Sequence, residues 1–422
     1  MANSSVTLTG SRETFARAVS DQAHRTVGII RIPEFIGGLL LVTDGVNLPE
    51  LNFPLSLVGV GLLVVTMIVR GSQRSLGRFS VAPVIFALAL CFVVAVSITT
   101  DHSALASDWG RRALRIGALL LFAFLAAEGR MDLRSLLKGL FVGLIANTVL
   151  FYVGVAPDEY GGYLTGYLQD KNKAGLLYSC GGLLLLLLAK SRWQITGVVV
   201  FLAATTWLTG SRTSLTGLLV AFVWMLLVTR WSKWPRIVAA VVIMLVVDFV
   251  EQNFARVGEF ASRLGSDELR GRIDAAASLK TAASPLQGRG LGEAYVIIDD
   301  NKWFYHNSYL SLLVEGGWIY ALVIVGATVI IGFGPLRDTL YTREIRIAEG
   351  AMACLMVCAW KLGEVFLTNT WALVLMVSMV TVLMRDRGVS WDEVSVFNPR
   401  LSRALRKAQK MPASSSVPWR HS

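Results

Sequence analysis

Of the four histidines, one stands where proton transfer would be useful. His306 ends a long polar stretch and opens an apolar one, in Asn301-Lys302-Trp303-Phe304-Tyr305-His306-Asn307-Ser308-Tyr309-Leu310, with Glu315-Gly316-Gly317 following. Imidazole titrates near neutral pH, so a histidine at a membrane surface suits the role of general base for a hydroxyl group. The bland reading of the same stretch is an interfacial aromatic belt in which the ring only hydrogen-bonds. His24 and His421 lie in polar termini and His102 in a short loop.

Cations near apolar segments are the second signal, because a charge at the membrane edge is costly and is seldom kept without a partner or ligand. Arg212 stands in a tight turn, Leu208-Thr209-Gly210-Ser211-Arg212-Thr213-Ser214, and Arg270 and Arg272 follow in a long polar stretch. Guanidinium binds phosphate bidentately, so arginines from separate loops could together hold a diphosphate. Lipid headgroups, or ion pairs with Glu268 or Asp274, would occupy them equally well. A third segment, Gln169-Asp170-Lys171-Asn172-Lys173-Ala174-Gly175, is a polar turn leading into an apolar run. There Lys171 or Lys173 could meet an anion while Asn172, like Asn307 farther on, caps a helix or supports the site. Asp299-Asp300 is a carboxylate pair with no histidine at metal-ligand spacing, so no metal is expected.

These residues need a scaffold, and composition identifies it. The 422 residues are 54% apolar and 16% charged, with 40 Lys and Arg against 29 Asp and Glu, a net +11. A soluble domain carries about 25% charge. A membrane span needs roughly 20 apolar residues, and such runs recur between short polar breaks. Apolar runs such as 181–189 and 239–250 lack the alternation of a membrane β-barrel. The expected fold is therefore all-α, a polytopic membrane protein of about twelve transmembrane helices. The spans lie near 27–43, 51–69, 80–98, 113–128, 135–155, 173–189, 194–209, 213–229, 235–250, 307–333, 347–368 and 371–384.

Placing both termini in the cytoplasm puts most of the Lys and Arg on the inner side, with a contribution from every inner segment. The chain then divides into a cytoplasmic N-terminus (1–26, with no signal-peptide core), helices over 27–250, a long extracytoplasmic loop (251–305), helices over 306–384, and a basic tail (385–422). In the long loop the sequence predicts an amphipathic helix over Glu268–Lys280, a break at Ser284-Pro285 and a glycine turn at Gly288-Arg289-Gly290-Leu291-Gly292. The charges there nearly cancel, which speaks against nucleic acid. The tail's Arg400, Arg403, Arg406, Lys407 and Lys410 suit contact with anionic membrane lipid. Cys91, Cys180, Cys354 and Cys358 all fall in apolar runs and read as small buried hydrophobes. Lys361 and Glu364, within one late span, are the main features a transporter could use, and equally have the spacing of an i,i+3 pair facing the bundle interior.

Taken in chain order, the motifs resemble the O-antigen ligase and Wzy-type polysaccharide polymerase family, integral membrane glycosyltransferases of the GT-C type. His306-Asn307, then nine residues, Gly317, two more and Tyr320, is similar to the ligases' His-Asn signature. Ser211-Arg212-Thr213 resembles the family's Ser-Arg turn, and Asp170 to Gly175 its Lys-Asn-x-x-Gly segment, loosely at Asn172. Arg272, ahead of Ser284-Pro285 and Gly288-x-Gly290, looks like the family's loop arginine. The Arg-x3-Leu often seen there is missing, since Ala276 follows Arg272 and Asp274 follows Arg270 at that offset. Two arginines therefore compete for one role.

The resemblance implies transfer of a glycan from a polyprenyl (undecaprenyl) diphosphate to an acceptor hydroxyl, on a glycan or a lipid, at the outer face of a bacterial inner membrane. His306 would be the base, and Arg212 with Arg272 or Arg270, helped by Lys171, would hold the diphosphate. Trp303 and Tyr305, beside Phe304, would touch sugar, though a membrane-interface belt explains these aromatics equally. A diphosphate leaves readily, so inversion without a metal or other cofactor is expected. Ligase and polymerase both fit, in lipopolysaccharide or exopolysaccharide synthesis. A lipid-linked glycan flippase or a secondary transporter also suits twelve spans, but transporters commonly show internal repeats and midplane charges, and no convincing repeat is present.

Overall fold

The structure, a computed structural model, describes residues 30–49, 53–101, 105–254, 264–334 and 342–397. The expected N-terminal segment 1–26, His24, His102, His421 and the five basic tail residues named above lie outside the described residues.

The chain is mostly helical, as the composition predicts. Apolar backbone away from water must satisfy its own N–H and C=O groups, and a helix does so within one segment. In order the helices are α1 (Ile32–Leu40), α2 (Leu55–Val69), α3 (Ala82–Thr99), α4 (Trp109–Ala127), α5 (Leu133–Tyr152), α6 (Lys171–Leu176), α7 (Arg192–Leu208), α8 (Arg212–Leu226), α9 (Lys233–Phe254), α10 (Leu264–Ala282), α11 (Ser308–Phe333), α12 (Arg343–Lys361), α13 (Asn369–Arg387) and the short α14 (Trp391–Val394). Polar residues start many of them. Asp108, Asp132, Ser211, Thr342 and Thr368 each accept a first-turn N–H, and Ser191 with Gln194 forms a capping box. Among the described residues four helical runs, Gly77–Thr99, Leu133–Tyr152, Arg212–Arg230 and Ser308–Phe333, are long and apolar enough to cross a membrane, and Ile32–Thr43 and Leu55–Val69 are shorter apolar helices.

α13 is the axis of the bundle. Every residue from Thr370 to Met384 is buried, so a helix that is apolar all round has found cover all round. α4, α11 and α12 pack around it, α8 lies along α12, and α1 lies against α5. Trp371 donates its indole N–H to Thr328 at 3.1 Å, which gives the largest buried side chain of the axis a polar partner.

Four expectations are corrected here. The expected span 173–189 is no single α-helix: α6 passes into a π turn (Leu177–Gly181) and a 3-10 turn (Leu184–Leu187). The long loop is largely structured. α9 runs on to Phe254, α10 extends the expected helix at both ends, and a hairpin of β1 (Tyr295–Ile298) and β2 (Asn301–Phe304) pairs antiparallel, with Ile298 opposite Asn301. Its two-residue turn is Asp299-Asp300, both at positive φ (52° and 59°), the backbone a tight hairpin turn requires. α12 stops at Lys361, so Glu364 lies in a loop, and the expected Lys361–Glu364 pair does not form. Lys361 is 3.3 Å from Asp248, and Glu364 takes Arg112 and Arg115. Finally, Cys91 faces outward, whereas the sulfurs of Cys180, Cys354 and Cys358 are buried within 4.8 Å of one another beside Gly217.

Candidate active site

Three helix starts and one face of α10 meet at one side of the bundle, and each brings part of the site for a local reason. Asp170 caps α6, its carboxylate accepting the N–H groups of Asn172 (2.9 Å) and Lys173 (2.8 Å). The expected cap, Asn172, is instead a first-turn residue, because an ionised Asp two positions earlier is the better acceptor at a helix N-terminus. Ser211 caps α8 and makes Arg212 its first residue, so the guanidinium sits at the positive end of a fifteen-residue helix. The two ends are pressed together at Gly175, where a Cβ would lie 2.4 Å from the Ser214 hydroxyl and 2.6 Å from Cβ of Ser211. This contact explains the glycine that closes the Asp170–Gly175 motif.

α10 supplies the third part. Its Ile273 and Ala277 pack with Tyr305 and Val314 in a small apolar cluster. Arg270, one turn before Ile273, is on that inward side, and its guanidinium donates to the Lys361 carbonyl. Arg272, two residues along and so well round the helix, reaches out to Asp299 at 2.9 Å, with both side chains half exposed or more. The pairing holds the Asp299 carboxyl below its ordinary range. It also gives Asp299-Asp300 a structural role, as the turn of the hairpin tied back to α10.

α11 begins at Asn307, whose side chain accepts the N–H groups of Tyr309 (2.9 Å) and Leu310 (3.2 Å). The loop after α12 clamps this start. Ser308 donates to the Leu362 carbonyl (2.6 Å) and accepts the Val365 N–H (2.9 Å), while Ser311 donates to the Gly363 carbonyl (3.0 Å). Gly363 lies so close that a Cβ would be 1.6 Å from the Tyr305 carbonyl oxygen. Farther along, α11 breaks at Gly317 (φ 69°), where the Leu286 carbonyl enters and a Cβ would approach it to 1.8 Å. The Gly288–Gly292 turn threads across this break, with Gly290 N–H on the Glu315 carbonyl (2.9 Å) and Gly292 N–H on the Glu315 carboxylate (3.0 Å).

His306 is thereby set between two cavities. One, of about 290 Å3, is lined by Lys171, Asn172, Arg212, Arg270 and His306. The other, of about 770 Å3, lies against α4 and the hairpin and shares Tyr160, Asp170, Asn172, Trp303 and His306 with the first. Nδ1 of His306 is buried, 3.9 Å from the Asp274 carboxylate and beyond hydrogen-bond reach. Burial first and then the Arg270 guanidinium push the imidazole down to about 4, with Asp170 opposing and Lys171 reinforcing. The ring is neutral at pH 7 and has a lone pair to offer.

Of the expected site residues, Lys171, Asn172, Arg212, Arg270 and His306 come together in the smaller cavity, and Asn307 sits directly behind them. Arg272 does not, since it faces Asp299. Trp303 lines both cavities, whereas Tyr305, 2% exposed, is packed into the wall with its hydroxyl pushed up to about 12 by burial. Several residues passed over in the sequence belong to the same region. Tyr160 donates its hydroxyl to Asp170 at 2.9 Å, and Arg112 bridges Glu315 (3.1 Å) and Glu364. Arg111, Arg112 and Arg115 lie on one side of α4, at spacings that bring them to one cavity. That spacing was the signal available for them.

Apolar helices whose polar, cationic groups are collected around a histidine at the helix ends define an integral membrane protein with a polar chamber. Residues 197–325 match the Wzy_C family model, O-antigen ligase, which bears out the resemblance read from the motifs over that stretch. The match spans α7 to α11 and includes Arg212, Arg270, Arg272, His306 and Asn307; Lys171 and Asn172 precede it. Among curated proteins no match is found.

Proposed function

We propose that the chain transfers a glycan from a polyprenyl diphosphate to an acceptor hydroxyl at the outer face of the membrane, in the twelve-span arrangement with both termini inside. The observation that carries this reading is the shared wall. A neutral histidine borders a small cavity holding three cations from three separate elements, and borders a larger cavity on its other side. The family match over residues 197–325 supports it.

In the proposed step the acceptor O–H gives its proton to the His306 imidazole as its oxygen attacks the anomeric carbon. The bond from that carbon to the diphosphate oxygen breaks, and the polyprenyl diphosphate departs with the electron pair. Attack and departure on opposite faces invert the anomeric centre. Arg212, Arg270, Lys171 and the N-terminus of α8 meet the charge that grows on the leaving oxygens. Of the two competing arginines the reading takes Arg270, because it lines the cavity. No general acid is needed for so good a leaving group.

The test is transfer by purified protein from a synthetic lipid-diphosphate donor. His306→Ala is expected to abolish product with the unfolding temperature unchanged, and retained transfer by that variant overturns the reading. Product length separates the two family activities: a single addition marks a ligase, and a ladder a Wzy-type polymerase.

A further inference from the structure

The larger cavity has a composition of its own. At about 770 Å3 it falls in the range of sites that enclose a sizeable organic ligand. Phe53, Tyr160 and Trp303 contribute aromatic surface to it, which suits the apolar faces of sugar rings. Five Lys and Arg line it (Arg111, Arg112, Arg115, Lys173 and Lys302) against three carboxylates (Asp108, Asp170 and Glu364).

The pairing among these charges is uneven. Arg112 and Arg115 are turned onto Glu364, and Arg112 also onto Glu315, so this group largely satisfies itself. Asp170 is engaged by two backbone N–H groups and the Tyr160 hydroxyl. Arg111 meets Asp108 at 3.2 Å in a pair about half exposed on both sides, which water and ions loosen readily. Lys173 is 3.9 Å from Asp44, at the limit of contact. Lys302 lies over the rings of Tyr295 and Phe304, at 4.9 and 4.7 Å from their centroids. Three cations on three different elements thus face the space with loose pairing, beside aromatic walls.

We infer that this cavity seats the acceptor, and that Arg111, Lys173 and Lys302 select an acidic saccharide, one bearing carboxylate or phosphate groups. The inference rests on the proposed transfer reaction, in which donor and acceptor must reach the reacting carbon from opposite faces. The smaller cavity, with its converging cations, fits the diphosphate, so the acceptor comes from the other side of His306.

Binding to the full-length protein in nanodiscs tests this directly, with trigalacturonate, phosphorylated maltotriose and neutral maltotriose as probes and inorganic diphosphate as the marker of the smaller cavity. At low salt at least one acidic trisaccharide is expected to bind roughly tenfold or more tighter than maltotriose, as clustered charges allow. Arg111→Ala combined with Lys302→Ala should erase that preference while diphosphate binding stays, and Arg212→Ala combined with Arg270→Ala should do the reverse. Preference for carboxylate or for phosphate identifies the acidic group. Equal binding of neutral and acidic probes overturns the inference, as does loss of the acidic preference in the Arg212 and Arg270 variant alone. The same measurements on His306→Ala separate the two proposals. Transfer retained by His306→Ala removes the catalytic reading, whereas an intact acidic preference there shows the cavity's selectivity to be independent of it. Misfolding of the double variant is covered by Arg111→Lys with Lys302→Arg, which keeps the charge and should keep the preference.

Discussion

The low affinity of His306 for protons comes first from burial and then from neighbouring cations, and a bound donor would offset the second of these. Burial and the neighbouring Arg270 and Lys171 hold the imidazole near 4, which makes it a weak base when the site is empty. A diphosphate between those two cations would offset their charge and raise the imidazole's pKa, sharpening the base where it is used. The base works only when neutral, so activity is lost as pH falls through its pKa. The acid limb of kcat/KM, which reports the free enzyme, is expected near the low value, and the acid limb of kcat at higher pH. An acid limb of kcat at or below that of kcat/KM would contradict this coupling. The two loop arginines separate in the same assay. Arg270→Ala is expected to lower transfer roughly a hundredfold, as loss of one preorganised donor does. Arg272→Ala should change it by less than about threefold, because what it loses is an exposed pair with Asp299. Equal losses would return Arg272 to the site.

At the scale of elements, the proposed transfer would depend on how closely the loop after α12 approaches the start of α11. Gly363→Ala must displace the Tyr305 carbonyl, and a shift of about 1 Å at a reacting group can cost a hundredfold in rate. Transfer by the folded variant should fall by about that factor; wild-type transfer in Gly363→Ala would show that the clamp does not set the position of His306. Nothing in the sequence pointed to Gly363, because its partner Tyr305 is 58 positions away in the chain and the contact between them is a backbone approach that no residue type signals. By contrast His306, Arg212 and the Asp170–Gly175 turn stood out, because a charged or titratable group at the end of an apolar run is unusual by itself. The choice between Arg270 and Arg272 was not legible. It depends on which face of α10 is buried, and that is decided by Ile273 and Ala277 meeting Tyr305. The hairpin was hidden too: Asp299-Asp300 reads as a carboxylate pair until its backbone is seen at positive φ.

For the whole molecule, the helical class was legible because apolar composition leaves the backbone few alternatives. Where each helix bends or stops was less so, since α6 and its π turn answer to Gly175 packing on α8 rather than to hydropathy. In the proposed topology the net charge of +11 divides in two: most cations would orient the chain, and a few line the chamber. That division makes the chamber's side of the membrane testable. Glu159 is exposed in the loop beside the site, and Arg192 is exposed at the opposite end of the α6–α7 segment. With Cys91 replaced by Ser, Glu159→Cys is expected to react with a membrane-impermeant maleimide in spheroplasts. Arg192→Cys should react only after the membrane is opened. The reverse pattern would put the chamber in the cytoplasm, where a donor at the outer face could not reach His306, and would overturn the proposed topology and the reaction together. EDTA then tests the chemistry within that frame. The proposed step draws its charge stabilisation from Arg212, Arg270 and Lys171, so the rate should be unchanged by chelation. A rate that collapses in EDTA and returns with Mg2+ would require a carboxylate site for the ion. The carboxylates facing the chamber, Asp108, Asp170 and Glu364, would then be the first to examine, before Asp299, which is held by Arg272 on the far side of α10.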